Sequence, residues 1–157
     1  MIFLISEAIR ESNRIEDIWG EEEVAQSLMA WHFLIEQEVL TGGVLLELHR
    51  LVMLNLLPEG RGQRGQFRLT NVTVGGRLCP HYSDVPNLVD NWLNLMHPQN
   101  LRDLTPTYTH IEFEHIHPFI DGNGRTGRML MWWHAIKANL EPMIIRYDER
   151  FDYYGWF

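Results

Sequence analysis

The sequence predicts a mostly α-helical domain that carries one small β-hairpin. Apolar residues recur every three or four positions along most of the chain, whereas strand-like alternation occurs only between residues 68 and 78. The length of 157 residues suits one domain with a single core. No internal repeat and no linker rich in Pro, Gly or Ser divides it.

The N-terminal third contains three helical patterns. Ser12 and Glu16 share a helix face with Ile5 and Ile9 in the first of them. Each pattern is expected to stop at a helix-breaking residue. The expected spans are about 3 to 18, interrupted by Gly20; 24 to 39, closed near Gly42 and Gly43; and 45 to 56, ending before Pro58.

The middle of the chain changes character. Three glycines between residues 60 and 65 favour an open loop. Between Arg68 and Leu78, β-branched residues alternate around Gly75 and Gly76, which are typical of a two-residue hairpin turn. The only β structure expected is this hairpin.

The C-terminal half returns to helical spacing. The expected helices are 85 to 96, capped by Ser83 or Asp84 with Pro86 in the first turn; 106 to 115, capped by Thr105; 125 to 139, ended by Glu141 and Pro142; and a short one over 151 to 156. The 125 to 139 helix is apolar nearly all round, so we expect it to be buried at the centre.

Bulk properties exclude some classes of function. A formal net charge of −8 argues against a non-specific nucleic-acid or anionic-membrane binder, although locally clustered arginines can still hold a nucleotide. Cys79 is the single cysteine, which fits a reducing compartment. No apolar run approaches the roughly 18 residues of a membrane span, and residues 1 to 5 are too short for a signal sequence. We therefore expect a soluble, cytoplasmic protein with no DNA-binding domain after the last helix.

The segment from residue 117 to 128 carries the chemistry. Pro118 stops the preceding helix, and Gly122 and Gly124 allow a tight turn that a ligand can approach closely. A buried helix begins directly afterwards, so its unpaired N–H groups and positive dipole end lie at that turn. This combination predicts an anion site suited to phosphates.

Four side chains extend that prediction. Arg125 and Arg128 lie three residues apart on the first helical turn, which favours a di- or triphosphate. Asp121 supplies a carboxylate beside the phosphates, as Mg²⁺ prefers. His117 stands at the entrance of the loop and can accept a hydroxyl proton at neutral pH.

The same stretch resembles the Fic family signature, His-x-Phe-x-Asp/Glu-Gly-Asn-Gly-Arg-x-x-Arg. Every fixed position is present: His117, Phe119, Asp121, Gly122, Asn123, Gly124, Arg125 and Arg128. Weaker likeness extends over roughly residues 24 to 157. The resemblance implies a Fic-type helical bundle in which the hairpin is a flap. Gly124 resembles the AMP-transferring members, because the kinase-like Doc branch commonly has lysine there.

The resemblance implies a protein adenylyltransferase that moves AMP from ATP to a Tyr, Thr or Ser hydroxyl of a target protein. His117 would be the catalytic base and Asp121 would hold Mg²⁺. The phosphate-binding residues would be Gly122, Asn123, Gly124, Arg125 and Arg128. Phe119 would anchor the loop. The flap that aligns the target would comprise Asn71, Val72, Thr73, Val74 and Gly75.

Residues 12 to 17 resemble the inhibitory motif Ser/Thr-x-x-x-Glu-Gly/Asn of one Fic subclass. Ser12 and Glu16 match it, whereas Asp17 departs from the final Gly or Asn. The resemblance implies an inhibitory helix over 1–20 ahead of a Fic domain over 21–157. Glu16 would pair with Arg128 and misplace ATP. The same glutamate could instead orient a water for removal of AMP.

Other interpretations stay open at this stage. Within the enzyme class they are AMP removal, transfer of another nucleotide, and phosphoryl transfer; outside it, a catalytically silent nucleotide-binding module. His110, His115 and His117 could form a metal site for hydrolysis. The remaining histidines fit surface or core roles, and Arg61, Arg64 and Arg68 fit ordinary loop charges or ligand contacts. Homo-oligomerisation and self-modification are both compatible with the sequence.

Overall fold

The computed structural model of the chain describes residues 4–54 and 64–157. In that part, seven α-helices and one hairpin follow one another: α1 Ile5–Ile15, α2 Glu21–Ile35, α3 Gly42–Val52, β1 Thr73–Val74, β2 Arg77–Leu78, α4 Val85–Leu95, α5 Pro106–Ile116, α6 Asn123–Lys137 and α7 Arg150–Tyr154. Short 3₁₀ turns, Tyr82–Asp84 and Tyr147–Glu149, precede α4 and α7. The predicted mostly α architecture with one small hairpin is confirmed.

Helix α6 is the central element and contacts α1, α2, α3 and α5. Nearly all of its residues are buried, as its apolar pattern predicted. Its two tryptophans also bury their polar atoms with partners: Trp132 donates its indole N–H to the carbonyl of Met143 at 2.9 Å, and Trp133 to that of Gln37 at 3.0 Å. The helix begins two residues before the predicted Arg125, because the chain enters it directly from Gly122.

The predicted bounds of the second and third helices are wrong. Helix α2 ends at Ile35, and Gly42 begins α3 instead of closing α2. Thr41 is the reason, since its hydroxyl accepts a hydrogen bond from the Val44 amide and caps α3. Helix α3 stops at Val52, where the Gln26 side-chain amide donates to the carbonyls of Leu51 and Val52. The predicted end near Leu56 and the glycine loop up to residue 63 lie outside the described residues.

The hairpin confirms the turn prediction. Strands β1 and β2 pair antiparallel, with Thr73 opposite Leu78 and Val74 opposite Arg77. Gly75 and Gly76 both have positive φ, 56° and 80°, as the two-residue turn requires. The strands are only two residues each, so most of the predicted strand segment is extended loop that leads from Arg68 to the turn.

Helix α1 lies against α2 and α6 and is shorter than the predicted span of 3 to 18. Its apolar residues Ile9 and Ile15 are buried together with the polar Ser12 and Asn13. The helix ends because Asp17 takes a left-handed conformation (φ 57°), and the Ile18 amide then bonds back to the Asn13 carbonyl. Across residues 4–54 and 64–157, no helix combines the length and hydropathy that crossing a membrane requires.

Candidate active site

The turn between α5 and α6, residues 117 to 122, has an unusual backbone at both ends. His117 caps α5 in a left-handed conformation with φ of 48°, and Gly122 precedes α6 with φ of 78°. Such a φ is costly for a non-glycine residue unless its surroundings hold it. The turn therefore requires a scaffold, and three buried side chains supply it.

Arg68 is the first of these side chains. Its guanidinium donates to the carbonyls of His117 at 2.8 Å, Thr70 at 2.9 Å and Pro80 at 2.6 Å. A fourth, longer contact reaches the carbonyl of Ile116, and the Arg68 amide donates to the Pro118 carbonyl. Arg68 is therefore neither a plain loop charge nor a free ligand contact. It joins the stem of the hairpin to the backbone of His117.

Asn123 and His49 close the other side of the turn. The Asn123 side chain accepts from the Phe119 amide and donates to the Phe119 carbonyl, both at 2.9 Å. His49 stacks on the Phe119 ring, with 3.6 Å between ring centroids. Its Nδ1 accepts from the Gly65 amide at 2.9 Å, so Nε2 is the atom that donates to the Asp121 carbonyl at 2.9 Å. Burial lowers the pKa of His49 to about 4, which keeps the ring neutral.

These contacts refine the predicted roles of the loop residues. Both polar groups of the Asn123 side chain are engaged with Phe119, so a phosphate would meet the backbone N–H of this residue. Phe119 is fully buried against Phe67 and Phe113. It has the environment of the loop anchor that the sequence led us to expect.

Arg128 is buried in a polar clamp that joins three helices. Its Nε donates to the Ser12 hydroxyl at 2.8 Å, and its Nη2 donates to the Ser12 carbonyl at 2.9 Å and to Glu16 Oε1 at 2.7 Å. Its Nη1 donates to the Tyr153 hydroxyl at 3.0 Å. Burial alone would lower the pKa of Arg128, but Tyr153 and Glu16 raise it overall, so the group is a permanent cation.

The Glu16 carboxylate lies at the start of α6. A Cβ built on Gly124 would collide with Glu16 Oε1 and would stand 2.9 Å from Arg128 Nη1. Glu16 thus reaches the helix end where unpaired N–H groups and the positive dipole attract an anion. The Arg128 side chain is 1% exposed and that of Glu16 37%, so a buried cation is covered by a partly accessible carboxylate.

Arg125 has different surroundings, although it stands only three residues from Arg128. Its Nη1 donates to the Val52 carbonyl at 3.3 Å and its Nη2 to Met53 Sδ at 3.0 Å, at the end of α3. Burial lowers the pKa of Arg125. The two guanidinium groups therefore have different protein partners, although they lie on the same first turn of α6. Arg125 borders the turn from the α3 side and Arg128 from the α1 side.

Asp121 and His117 stand on the turn itself. Asp121 is exposed, and its Oδ1 accepts from the Gly122 amide at 2.6 Å. The His117 side chain is 17% exposed, and its Nδ1 lies 3.5 Å from Glu114 Oε2. The other two histidines of the hypothetical metal site have separate partners: buried His110 pairs with the Tyr153 hydroxyl at 2.9 Å, and His115 lies beside Glu112. Over the described ranges, no three His, Cys, Asp or Glu side chains cluster as metal ligands.

The hairpin forms one wall of a cleft of about 390 Å³ that Val74, Gly75 and Arg77 line together with Tyr154 and Phe157 of the C-terminal segment. Asn71 fixes the stem, because its side-chain oxygen accepts from the Tyr82 amide at 3.1 Å. Val72 pairs its carbonyl with the Cys79 amide at 3.1 Å. Thr73 and Val74 form the strand β1 that precedes the turn.

Together, the fold and the site define a helical protein in which a left-handed turn leads into the central helix, with His117 on the turn and the Glu16 carboxylate beside the helix start. Comparison with known proteins gives the same result. The model of the Fic/DOC family matches residues 39–135 of the chain. The chain belongs to this family, and the resemblance noted in residues 117 to 128 is confirmed.

Similar proteins include the protein adenylyltransferase Fic of Drosophila persimilis, 40% identical over 126 residues, and that of Drosophila grimshawi, 40% identical over 130 residues. Each alignment covers 77% of this chain but only 24% and 25% of the respective relative. The chain thus spans about a quarter of the length of these relatives.

Solved structures share the fold. A Fic domain containing signaling protein from Bacteroides thetaiotaomicron superposes with a TM-score of 0.78 at 18% identity, covering 96% of this chain and 69% of that one. Fic-1 from C. elegans gives a TM-score of 0.79 at 22% identity, covering 99% of this chain and 55% of that one.

Proposed function

We propose that this chain is a protein adenylyltransferase that transfers AMP from ATP to a Tyr, Thr or Ser hydroxyl of a protein target, which can be the chain itself. The observation that carries the proposal is the anion site at the start of α6, with His117 at its entrance and Arg128 at its base. The similar Drosophila proteins are named for this activity. Because they are about four times longer, the activity is proposed here from the site as well as from the relatives.

The reaction requires a general base, groups that bind the phosphates, and a positive charge that stabilises the leaving pyrophosphate. His117 accepts the proton of the target hydroxyl, whose oxygen then attacks the α-phosphorus. A new P–O bond forms to the target, the bond between the α-phosphorus and the bridging oxygen breaks, and pyrophosphate leaves. Backbone N–H groups of Asn123 and Gly124 bind phosphate oxygens, and that of Gly122, which donates to Asp121 Oδ1 here, would join them once that bond is released. Arg128 stabilises the negative charge that moves onto pyrophosphate.

Arg125 acts from the opposite wall of the turn. Its hydrogen bonds to Val52 and Met53 keep its charge close to the helix start, and its Nε is buried without a hydrogen-bond partner among the described residues. An unpaired buried donor of a cation is suited to an incoming phosphate oxygen. Arg125 therefore supports the phosphates beside Arg128.

Asp121 suits a Mg²⁺ ion that arrives with the nucleotide. One of its carboxylate oxygens is taken by the Gly122 amide, and the exposed side chain leaves the other oxygen available next to the phosphate site. A single carboxylate with substrate phosphates and water is a common Mg²⁺ arrangement. The ion would neutralise phosphate charge and orient the leaving group.

Residues 1–20 act as an inhibitory segment on the Fic domain over 21–157. Glu16 pairs with Arg128 and lies against Gly124, in the space that suits a terminal phosphate. ATP bound in the presence of Glu16 would carry its α-phosphorus in a poor position for attack, and such a displacement costs about 100-fold in rate. Ser12 supports the inhibitory contact, because it binds the same guanidinium through both its hydroxyl and its carbonyl.

The hairpin aligns the target segment. Strand β1 is at the edge of a two-stranded sheet, so its backbone N–H and C=O groups can pair with an extended peptide. Asn71, Val72, Thr73, Val74 and Gly75 form this edge. The neighbouring cleft, with Tyr154 and Phe157 opposite, gives room for ligand beside the strand.

Intact-mass measurement tests the proposal. The Glu16→Gly variant is incubated with ATP and Mg²⁺, alone and with a cell lysate, and modified proteins are identified by their mass. We expect a gain of one AMP group per modified hydroxyl. A phosphate-sized gain would indicate phosphoryl transfer, release of AMP from modified protein would indicate the reverse reaction, and unchanged masses would indicate a binding module.

The control is Glu16→Gly combined with His117→Ala. This double variant should bind ATP with nearly the same affinity as Glu16→Gly, since His117 contacts the hydroxyl and not the phosphates. It should give no AMP adduct. An unchanged yield of adduct would contradict the role of His117 as base.

A further inference from the structure

Glu114 is a buried carboxylate that the reaction described above does not use. It stands one helical turn before His117 on α5, and its side chain is 8% exposed. Its Oε2 lies 3.5 Å from His117 Nδ1. Among the described residues, three atoms here are buried without a hydrogen-bond partner: His117 Nδ1, the second oxygen of Glu114, and Nδ1 of His110, one turn earlier on α5.

Buried polar atoms without partners are rare in folded proteins, so three of them around one carboxylate require an explanation. A slightly closer approach of the imidazole would convert the 3.5 Å contact into an N–H···O hydrogen bond. Hydrogen bonds between catalytic groups are often long in the free enzyme and tighten once substrate is bound. The carboxylate of Glu114 thus lies next to Nδ1 of the His117 ring, which leaves Nε2 as the other nitrogen.

The carboxylate is ionised in spite of its burial. Burial alone would raise the pKa of Glu114, but hydrogen bonding from His117 and the nearby positive charge of Arg128 lower it overall. The groups that face Glu114 are His110 and His117 on its own helix, Arg128 on α6 and Tyr153 on α7. His110 is neutral, since burial lowers its pKa to about 4. Arg128 already holds Glu16 and Tyr153. His110 Nδ1 and His117 Nδ1 are both buried without a hydrogen-bond partner among the described residues, and of the two it is His117 that contacts the Glu114 carboxylate, at 3.5 Å.

Gly127 on α6 makes room for this arrangement. Glycine inside a helix is destabilising relative to alanine, so its presence within a buried helix points to a packing requirement. A Cβ at this position would lie 2.8 Å from Glu114 Oε1 and 2.8 Å from His110 Nδ1. Gly127 is one of the variable positions of the 117–128 motif, and in this chain it leaves the space that the Glu114 carboxylate occupies.

A second Glu–His pair on the same helix provides the contrast. Glu112 and His115 have the same spacing of three residues and a similar separation of 3.8 Å. Their side chains are 40% and 41% exposed, so water solvates both groups and screens the pair. Helical spacing alone therefore brings a Glu and a His together, but only the Glu114–His117 pair is buried and faces the turn.

We propose that Glu114 is a positioning residue for His117. It accepts the Nδ1–H proton in a hydrogen bond and so fixes the tautomer in which Nε2 is free to act as the base. It also stabilises the imidazolium that forms when Nε2 takes the hydroxyl proton; no bond to Glu114 is made or broken, and the proton remains on His117 until the products leave. This role rests on the proposed AMP transfer, since it concerns the base of that reaction.

The activity test uses Glu114→Gln in the Glu16→Gly background, with Glu112→Gln in the same background as the matched control. Glutamine keeps the size of the side chain but removes the charge that stabilises the imidazolium. We expect kcat to fall about 10- to 100-fold while the KM for ATP stays the same. The acidic limb of the kcat/KM pH profile should move to lower pH, because the imidazole then loses its proton more easily. Glu112→Gln should match the background, and a Glu114→Gln profile that also matches it overturns the proposal.

A second measurement does not depend on enzyme activity, so it tests the role of Glu114 separately from the proposed function. The His117 ring is followed by NMR in nucleotide-free protein as pH is varied, and its titration midpoint should fall in Glu114→Gln but not in Glu112→Gln. An unmoved midpoint overturns the proposal even if AMP transfer is confirmed. If AMP transfer fails in the background, the midpoint still decides whether Glu114 polarises His117.

Gly127→Ala is a second variant, for use if Glu114→Gln does not fold. It keeps the Glu114 carboxylate, but the added methyl group should displace that carboxylate from its present position. Thermal unfolding verifies the fold of each variant. We expect Gly127→Ala to lower the midpoint of the His117 ring in the same direction as Glu114→Gln. A folded Gly127→Ala protein with the midpoint of the parent protein overturns the proposal.

Discussion

Arg68 and Arg128 are both buried at the turn between α5 and α6, and they differ in the groups that they bind. Arg68 donates only to backbone carbonyls, those of Thr70, Pro80, Ile116 and His117, whose positions the fold fixes. Arg128 binds Ser12 and Tyr153, but it also binds the partly exposed carboxylate of Glu16. The first set of contacts is made to backbone that the fold fixes, whereas the proposed inhibition requires that a phosphate replace Glu16 at Arg128.

This difference divides the site into two regions, which we call the scaffold side and the switch side. The scaffold side consists of Arg68, His49 and Asn123, which hold the left-handed backbone of His117 and Gly122. The switch side consists of Arg128 and Glu16, whose carboxylate lies where the proposed function places a phosphate of ATP. Substitutions on the scaffold side should therefore affect folding, and substitutions at Glu16 should affect activity with little effect on folding.

The largest expected effect is that of Arg68→Ala. Four carbonyls would lose their donor, and the cost is about 4 kcal/mol in the free energy of unfolding, at about 1 kcal/mol for each unsatisfied acceptor. Denaturant unfolding measures it. Arg102→Ala, at an exposed position, is the control and should stay within about 0.5 kcal/mol of the parent protein. A similarly small change for Arg68→Ala would remove the distinction between the two arginines.

Acid should weaken the scaffold through His49. Its pKa is about 4 in the folded protein, below the ordinary 6.5, so the unfolded chain binds more protons between these values. Stability is then full above about pH 6.5 and is lost as pH falls toward 4, by about 3 kcal/mol from this residue at 1.36 kcal/mol per pH unit. Unfolding curves between pH 7.5 and 4 measure the slope. His49→Gln should show a shallower slope, and an equally steep slope would exclude His49 as a major source of acid sensitivity.

Glu16→Gly should increase the rate of AMP transfer and leave stability nearly unchanged. Removing the carboxylate frees Arg128 and the space at Gly124, and self-modification should rise about 100-fold, equivalent to about 2.7 kcal/mol. Initial rates of adduct formation measure it. The matched control is Asp17→Gly, because Asp17 already has the left-handed backbone that glycine adopts easily. Asp17→Gly should remain inhibited; equal activation of both variants would mean that the end of α1, and not the carboxylate, is responsible.

The smallest effect is expected for Tyr153→Phe, which lies between the two regions. Its hydroxyl accepts from Arg128 and pairs with His110, so its loss should cost about 1 kcal/mol of unfolding free energy. Tyr108→Phe, at a half-exposed position on α5, is the control. If the Tyr153→Phe protein were as stable as the control, the hydroxyl would not be part of the Arg128 clamp.

Local sequence signals predicted the parts of the fold whose cause is local. The Gly75–Gly76 turn, the capping Thr105 and the all-apolar pattern of α6 each predicted an element that the structure contains. Helix ends were predicted less well, because capping by Thr41 and the left-handed Asp17 compete with an apolar pattern that continues past them. Asp17, where the sequence departs from the Gly or Asn of the motif that residues 12 to 17 resemble, leaves the helix with positive φ, which Asp tolerates.

The site was predictable as a motif but not as a packing arrangement. Residues 117 to 128 predicted a tight turn before a buried helix, and the structure contains it; the base and the phosphate site remain predictions. Arg68, His49 and Glu114 act through contacts with residues that are distant in sequence or through burial, and spacing does not report either. Arg125 illustrates the same limit, since its spacing from Arg128 did not show that its side chain is bonded to the end of α3.

The most direct test of the account compares two labels of ATP on the Glu16→Gly variant. With ATP labelled at the α-phosphorus, protein-bound label should appear, and it should be absent when His117→Ala is added. With ATP labelled at the γ-phosphorus, no label should be retained. Retention of the γ-label, or no transfer of the α-label to any protein, would contradict adenylyl transfer at this site.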